Sequence, residues 1–95
     1  MQLLKIYYAY FSPGNTTEKV VSHIASSFQN YPVESINLTD YATRQEDYYF
    51  KENELLIIGV PAYGGRVPAP VVDALRHFTG SNTPVVLVAT YGNRD

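Results

Sequence analysis

The hydroxyls of Ser12, Thr16 and Thr17, set around Gly14 and Asn15, are the first residues of the chain whose types and spacing suggest chemistry. They follow an apolar, aromatic run, Tyr8-Ala9-Tyr10-Phe11, and stand at the start of an amphipathic pattern that continues from Glu18. A strand, a tight loop and a helix N-terminus are therefore expected in succession. Such a junction binds phosphate through backbone N–H groups and the positive end of the helix dipole, and hydroxyls add further donors. The loop contains no Lys, which sets aside a glycine-rich ATP or GTP loop. A lone phosphate monoester suits this neutral cradle better than a triphosphate with its metal. The competing reading is structural: Ser12, Asn15 and Thr16 cap a helix, with Glu18 three residues after Asn15 in a capping-box variant.

Two later loops have the same placement. Pro61-Ala62-Tyr63-Gly64-Gly65-Arg66-Val67-Pro68 follows the apolar run Glu54–Val60, and Tyr91-Gly92-Asn93-Arg94-Asp95 follows Val85–Thr90. In parallel sheets ligands sit at the carboxyl ends of strands, so loops of this kind converge on one crevice. Elsewhere the chain shows neither metal-ligand spacing nor a nucleophile beside a base. Glu46 and Asp47 read as a solvated face, and His23 and His77 as surface residues.

The elements that must position these loops follow from periodicity. Leu3–Phe11 is nearly continuous in apolar and aromatic residues, as strands buried on both faces are. A helix with Val20, Val21, Ile24, Ala25 and Phe28 on one side is stopped by Asn30-Tyr31-Pro32. Val33–Leu38 alternates like a sheet-edge strand. Asp40–Asn53 is polar with scattered aromatics and is read as a short helix with a loop. Glu54–Val60 is a second buried strand, ended by Pro61. A helix from Pro70, with Val71, Val72, Leu75 and Phe78 inward, stops at Gly80, and Val85–Thr90 is read as a third buried strand. Strands alternating with helices predict an α/β domain with a parallel sheet and right-handed crossovers.

Composition limits the function classes. The chain has 95 residues, 45% apolar and 17% charged, which describes one small globular domain over residues 1–95. A net charge of −2 leaves no electrostatic footprint for nucleic acid. No apolar run is long enough to span a membrane, no signal peptide opens the chain, and a cytoplasmic location is the default expectation. With no cysteine, the chain itself forms neither disulfides nor cysteine-ligated clusters.

Tyr10-Phe11-Ser12-Pro13-Gly14-Asn15-Thr16-Thr17 resembles the phosphate loop of flavodoxins. Gly59–Pro68 and Tyr91–Arg94 resemble their two isoalloxazine loops, and more narrowly those of flavodoxin-like domains that precede ferredoxin-type iron–sulfur domains in some bacterial proteins. The resemblance covers essentially the whole chain. It implies a three-layer α/β/α fold with strand order 2-1-3-4, non-covalent FMN, and an electron-transfer function. It further implies that Ser12, Gly14, Asn15, Thr16 and Thr17 hold the FMN phosphate. Pro61, Ala62, Tyr63, Gly64, Gly65, Tyr91, Gly92 and Asn93 would surround the flavin, with Tyr63 and Tyr91 stacked on it and a Gly64-Gly65 carbonyl turning toward its N5–H. Tyrosine is abundant, nine in all, so ordinary packing is the alternative for Tyr63 and Tyr91, as a plain tight turn is for the glycine pair.

The chain departs from the pattern twice. Gly14-Asn15 stands where flavodoxins usually carry Thr then Gly, a change that Asn tolerates because it accepts positive φ. Flavodoxin-like domains also continue into a fifth strand and further helices, which are missing here. The Val85–Ala89 strand is therefore expected as an open apolar edge: either the chain is a fragment of a longer protein, or a second copy covers the edge in a homodimer or larger homo-oligomer. A redox partner protein or a linked iron–sulfur domain completes the expected partners. Two other functions stay open: a flavin-dependent quinone or flavin reductase, and a flavin-free half-domain serving assembly.

Overall fold

In the computed structural model, which describes residues 3–12, 16–28, 30–62 and 66–91, β1 (Lys5–Tyr10) shows why its sequence is apolar without alternation. Ile6, Tyr8 and Tyr10 pack on one face of the sheet with Val21, Ala25 and Ile57, while Tyr7, Ala9 and Phe11 pack on the other with Leu56, Ile58 and Val71. A strand covered on both faces needs apolar residues at both parities. β4 (Glu54–Ala62) divides in the same way, Ile57 toward the first face and Leu56, Ile58 and Val60 toward the second.

The remaining elements are α1 (Thr16–Ser26), β2 (Val33–Asn37), α2 (Tyr41–Arg44), β3 (Tyr48–Tyr49), α3 (Ala69–Leu75), β5 (Phe78–Thr79) and β6 (Val85–Tyr91). The long strands form one parallel sheet in the order β2-β1-β4-β6, which is the expected 2-1-3-4 of the four main strands. β1 pairs with β2 from Ile6↔Val33 to Tyr10↔Asn37, and β4 with β6 from Leu56↔Val85 to Ala62↔Tyr91. Val21 and Ala25 of α1 lie in the core of the first face, and Val71 and Ala74 of α3 in that of the second. The chain is thus an α/β domain with a parallel sheet and helices on both faces. β2 is exposed at four of its five positions, as an edge strand should be, and its Glu34 meets Lys5 Nζ at 2.7 Å.

Several boundaries differ from expectation, each for a physical reason. Pro61 does not end β4, which continues to Ala62. The missing N–H costs no bond there, because β1 has already ended opposite Gly59 and only β6 accompanies the last residues. The second long helix ends at Leu75, so Phe78 is not on it. Phe78 and Thr79 instead form β5, paired in parallel with β3 inside the stretch expected to be helix and loop. Aromatic packing holds this two-stranded sheet: Phe50 lies 5.0 Å from Tyr7 and 5.4 Å from Phe78 between ring centroids, and Tyr48 lies 5.3 Å from Phe78. On a helix this short, the i, i+3 spacing buries Val71 and Ala74, and Val72 turns to solvent.

Candidate functional site

The carboxyl ends of β1, β4 and β6 are tied together by hydrogen bonds, bringing the strand ends before the three predicted loops into one region. Phe11 N–H donates to Gly59 O at 3.2 Å, joining the end of β1 to β4. Ser12 is buried; its N–H donates to Thr39 Oγ1 at 2.8 Å and its Oγ accepts from Glu18 N–H at 3.0 Å. Ser12 therefore satisfies one of the unpaired N–H groups at the start of α1 from a position before the loop. Among the described residues its own hydroxyl proton has no acceptor.

Thr17 lies on the buried stripe of α1 with Val21 and Ala25. Its Oγ1 is 2.7 Å from Thr90 Oγ1, and Thr90 Oγ1 lies 3.4 Å from Val60 O. The order of donation decides what Thr17 can offer. When Thr90 donates to Val60 O, Thr17 donates to Thr90 and can only accept. When Thr90 donates to Thr17, the Thr17 proton is released toward an incoming anion, at the expense of a long bond to Val60 O. The close seating of α1 that permits this contact depends on Gly59. A Cβ there would lie 2.3 Å from Val21 Cγ1 and 2.9 Å from Thr17 Cγ2. This glycine is required by close approach, not by its backbone angles.

Thr16 is exposed at the first residue of α1, Pro61 and Ala62 are buried at the end of β4, and Tyr91 is 76% exposed at the end of β6. Gly14, Asn15, Tyr63, Gly64, Gly65, Gly92 and Asn93 lie outside the described residues. Thr39 and Thr90, which hold Ser12 and Thr17, were not among the predicted site residues; each is a hydroxyl at or just past a strand's carboxyl end, and that placement is the only signal in the sequence. Tyr10 sits beneath the helix start, and burial, followed by the neighbouring Glu18 carboxylate, raises its phenol above the usual tyrosine range. Among the described residues, the hydroxyls of Ser12, Thr17 and Thr90 bond to backbone groups and to each other, not to a base.

Comparison with known proteins gives a different signal. The chain is similar to ribonuclease Z of Staphylococcus aureus: strains MSSA476 and MW2 are each 42% identical over 48 residues, and strain JH9 is 40% identical over the same length. The matched segment is 50% of this chain, and the chain spans only 16% of the length of these relatives. No family model matches the chain, and no solved structure does. The expectation of an FMN electron-transfer domain is overturned by this similarity, because a ribonuclease acts on nucleic acid and is not an electron carrier. The two alternatives attached to that expectation, a flavin reductase and an assembly half-domain, are withdrawn with it. No helix among the described residues is long and apolar enough to cross a membrane.

Proposed function

We propose that the chain is a ligand-binding α/β domain, flavodoxin-like in its strand order, whose crevice at the carboxyl ends of β1, β4 and β6 takes a phosphate monoester. The observation that carries this reading is the pair of buried hydroxyls, Ser12 and Thr17, at the start of α1, each with a protein partner that leaves or can release a proton. Buried hydroxyls beside a helix N-terminus add donors to the backbone N–H groups and dipole that attract a dianion. FMN, the cofactor implied by the resemblance, enters as a phosphate monoester with a flat ring system, and no electron-transfer role is attached to it. The whole ribonuclease's activity is not carried over from a segment covering 16% of it.

Substitution at Thr17 tests the reading. Thr17→Val keeps the shape and removes the donor, so FMN should be lost by about 1.5–3 kcal/mol, the range for a hydrogen bond to a charged group. Thr17→Ser should restore most of that affinity. Equal weakening of FMN and riboflavin in Thr17→Val would assign the hydroxyl to the fold alone.

The exposed edge supports a second copy as partner. Val85, Val86 and Leu87 of β6 are 53%, 42% and 66% exposed, and among the described residues β6 pairs only with β4. An uncharged apolar edge strand pairs readily with another chain. Sedimentation at micromolar concentration should show a dimer or larger assembly, and Leu87→Lys should shift it to monomer. A wild-type chain that stays monomeric would remove the homo-oligomer.

A further inference from the structure

On the second face of the sheet a cavity of about 490 Å³ opens between α2 and α3, with Tyr41, Arg44, Pro70, Asp73, Ala74 and Arg76 in its lining. We propose that this cavity is a binding site for a small organic carboxylate, with the Arg44 guanidinium as its anchor.

Arg44 is held before any ligand arrives. Its Nη1 donates to Leu38 O at 3.0 Å and Thr39 O at 3.1 Å, and its guanidinium lies over the Tyr41 ring at 5.3 Å and the Phe11 ring at 5.9 Å. Both Nη1 protons are thereby used. The protons on Nε and Nη2 have no partner among the described residues, and the Nε–Nη2 edge is the one that receives a carboxylate through two parallel hydrogen bonds. A guanidinium fixed by two carbonyls and two rings loses little freedom when it binds, so more of the interaction is retained as affinity. Among the described residues no carboxylate is within ion-pairing distance of it, whereas Asp47 holds His77 at 2.7 Å and Asp73 meets Arg76 at 3.9 Å.

The lining selects the charge of the ligand. Arg76 and Asp73 face each other and Asp47 faces His77, so Arg44 is the one cation of the lining without an acidic partner among the described residues, which matches a monoanion. A phosphate dianion would lose more hydration on entering and would find no second unpaired cation among the described lining residues to offset its additional charge. Arg76 is largely exposed and adds little, as surface charges do. Tyr41, Pro70 and Ala74 give the rest of the cavity apolar surface, room for a flat body attached to the carboxylate.

Benzoate is the probe, titrated into the intact chain and followed by proton–nitrogen NMR at the Arg44 Nε signal, with benzyl alcohol and phenyl phosphate as comparisons. Saturable movement of that signal by benzoate below ~10 mM is expected, with no response to benzyl alcohol and a weaker one to phenyl phosphate. Asp73→Asn, at an exposed position, should tighten benzoate by roughly threefold by removing the repelling charge. Arg44→Lys, followed at the backbone amide signals of Tyr41 and Ala74 because it lacks the Nε–H, should weaken it by about tenfold, since a point charge cannot form the paired bonds. The gain in Asp73→Asn is a result that loss of folding cannot imitate. An Arg44 Nε signal that benzoate does not move would overturn the site. So would equal responses to benzoate and benzyl alcohol, or unchanged affinity in Asp73→Asn. Tighter binding of phenyl phosphate than of benzoate at this signal would overturn the carboxylate assignment, and phosphate-induced shifts confined to Ser12 and Thr17 belong to the other site.

Discussion

Phe50→Ala is expected to destabilise the domain by about 3–5 kcal/mol, the range for deleting a buried aromatic ring. Phe50 is 4% exposed and packs against Tyr7 of β1, Tyr48 of β3 and Phe78 of β5. Its backbone N–H also donates to Thr79 O at 2.8 Å, so one residue extends the β3–β5 pairing with its backbone and joins the small sheet to the main one with its ring. Truncation leaves a cavity bordered by three rings that cannot all move inward at once. Chemical denaturation should show the loss with an unchanged dependence on denaturant. A loss below about 1 kcal/mol would mean that the two-stranded sheet is not cemented by this ring.

Gly59→Ala is expected to cost about 3 kcal/mol, the upper end for forcing a methyl group into a packed site. The added Cβ would be 2.3 Å from Val21 Cγ1, and Val21 has no exposure through which to escape. Relief requires α1 to lift from the sheet, which also separates Thr17 from Thr90. The same substitution should therefore weaken phosphate ester binding although Gly59 itself offers no donor. Combining Gly59→Ala with Val21→Ala removes the nearest clashing atoms, and the double variant should be more stable than the sum of the single losses predicts. Strict additivity would show that α1 does not press on β4 at this point.

How much of this was legible in the sequence depends on the range of the interactions involved. β1, α1 and β4 were readable because their residues satisfy period and burial locally: the continuous apolar runs mark strands covered on both faces, and Val21 and Ala25 mark the inward stripe of α1, whereas β6, read from the same kind of run as a buried strand, is a strand but is largely exposed. β3 and β5 were not, because each has two residues and exists only through the other, 30 positions apart at Tyr48↔Phe78. Phe78 fitted a helical spacing with Val71 and Leu75 equally well, and only the aromatic cluster decides its state. Within the site, Ser12 and Thr17 were visible from residue type, whereas the partners that fix them, Thr39 and Thr90, are 27 and 73 residues away. Gly59 gave no signal at all, since a glycine inside an apolar strand does not reveal what approaches it.

Calorimetric titration of the intact chain with FMN and with riboflavin, under identical conditions, tests the phosphate-monoester crevice most directly. The two ligands share the ring system and differ in the phosphate. A crevice built on the Ser12 and Thr17 hydroxyls predicts that FMN binds at least about tenfold more tightly, the equivalent of a single charged hydrogen bond. Equal affinities, or binding of neither ligand, would contradict it.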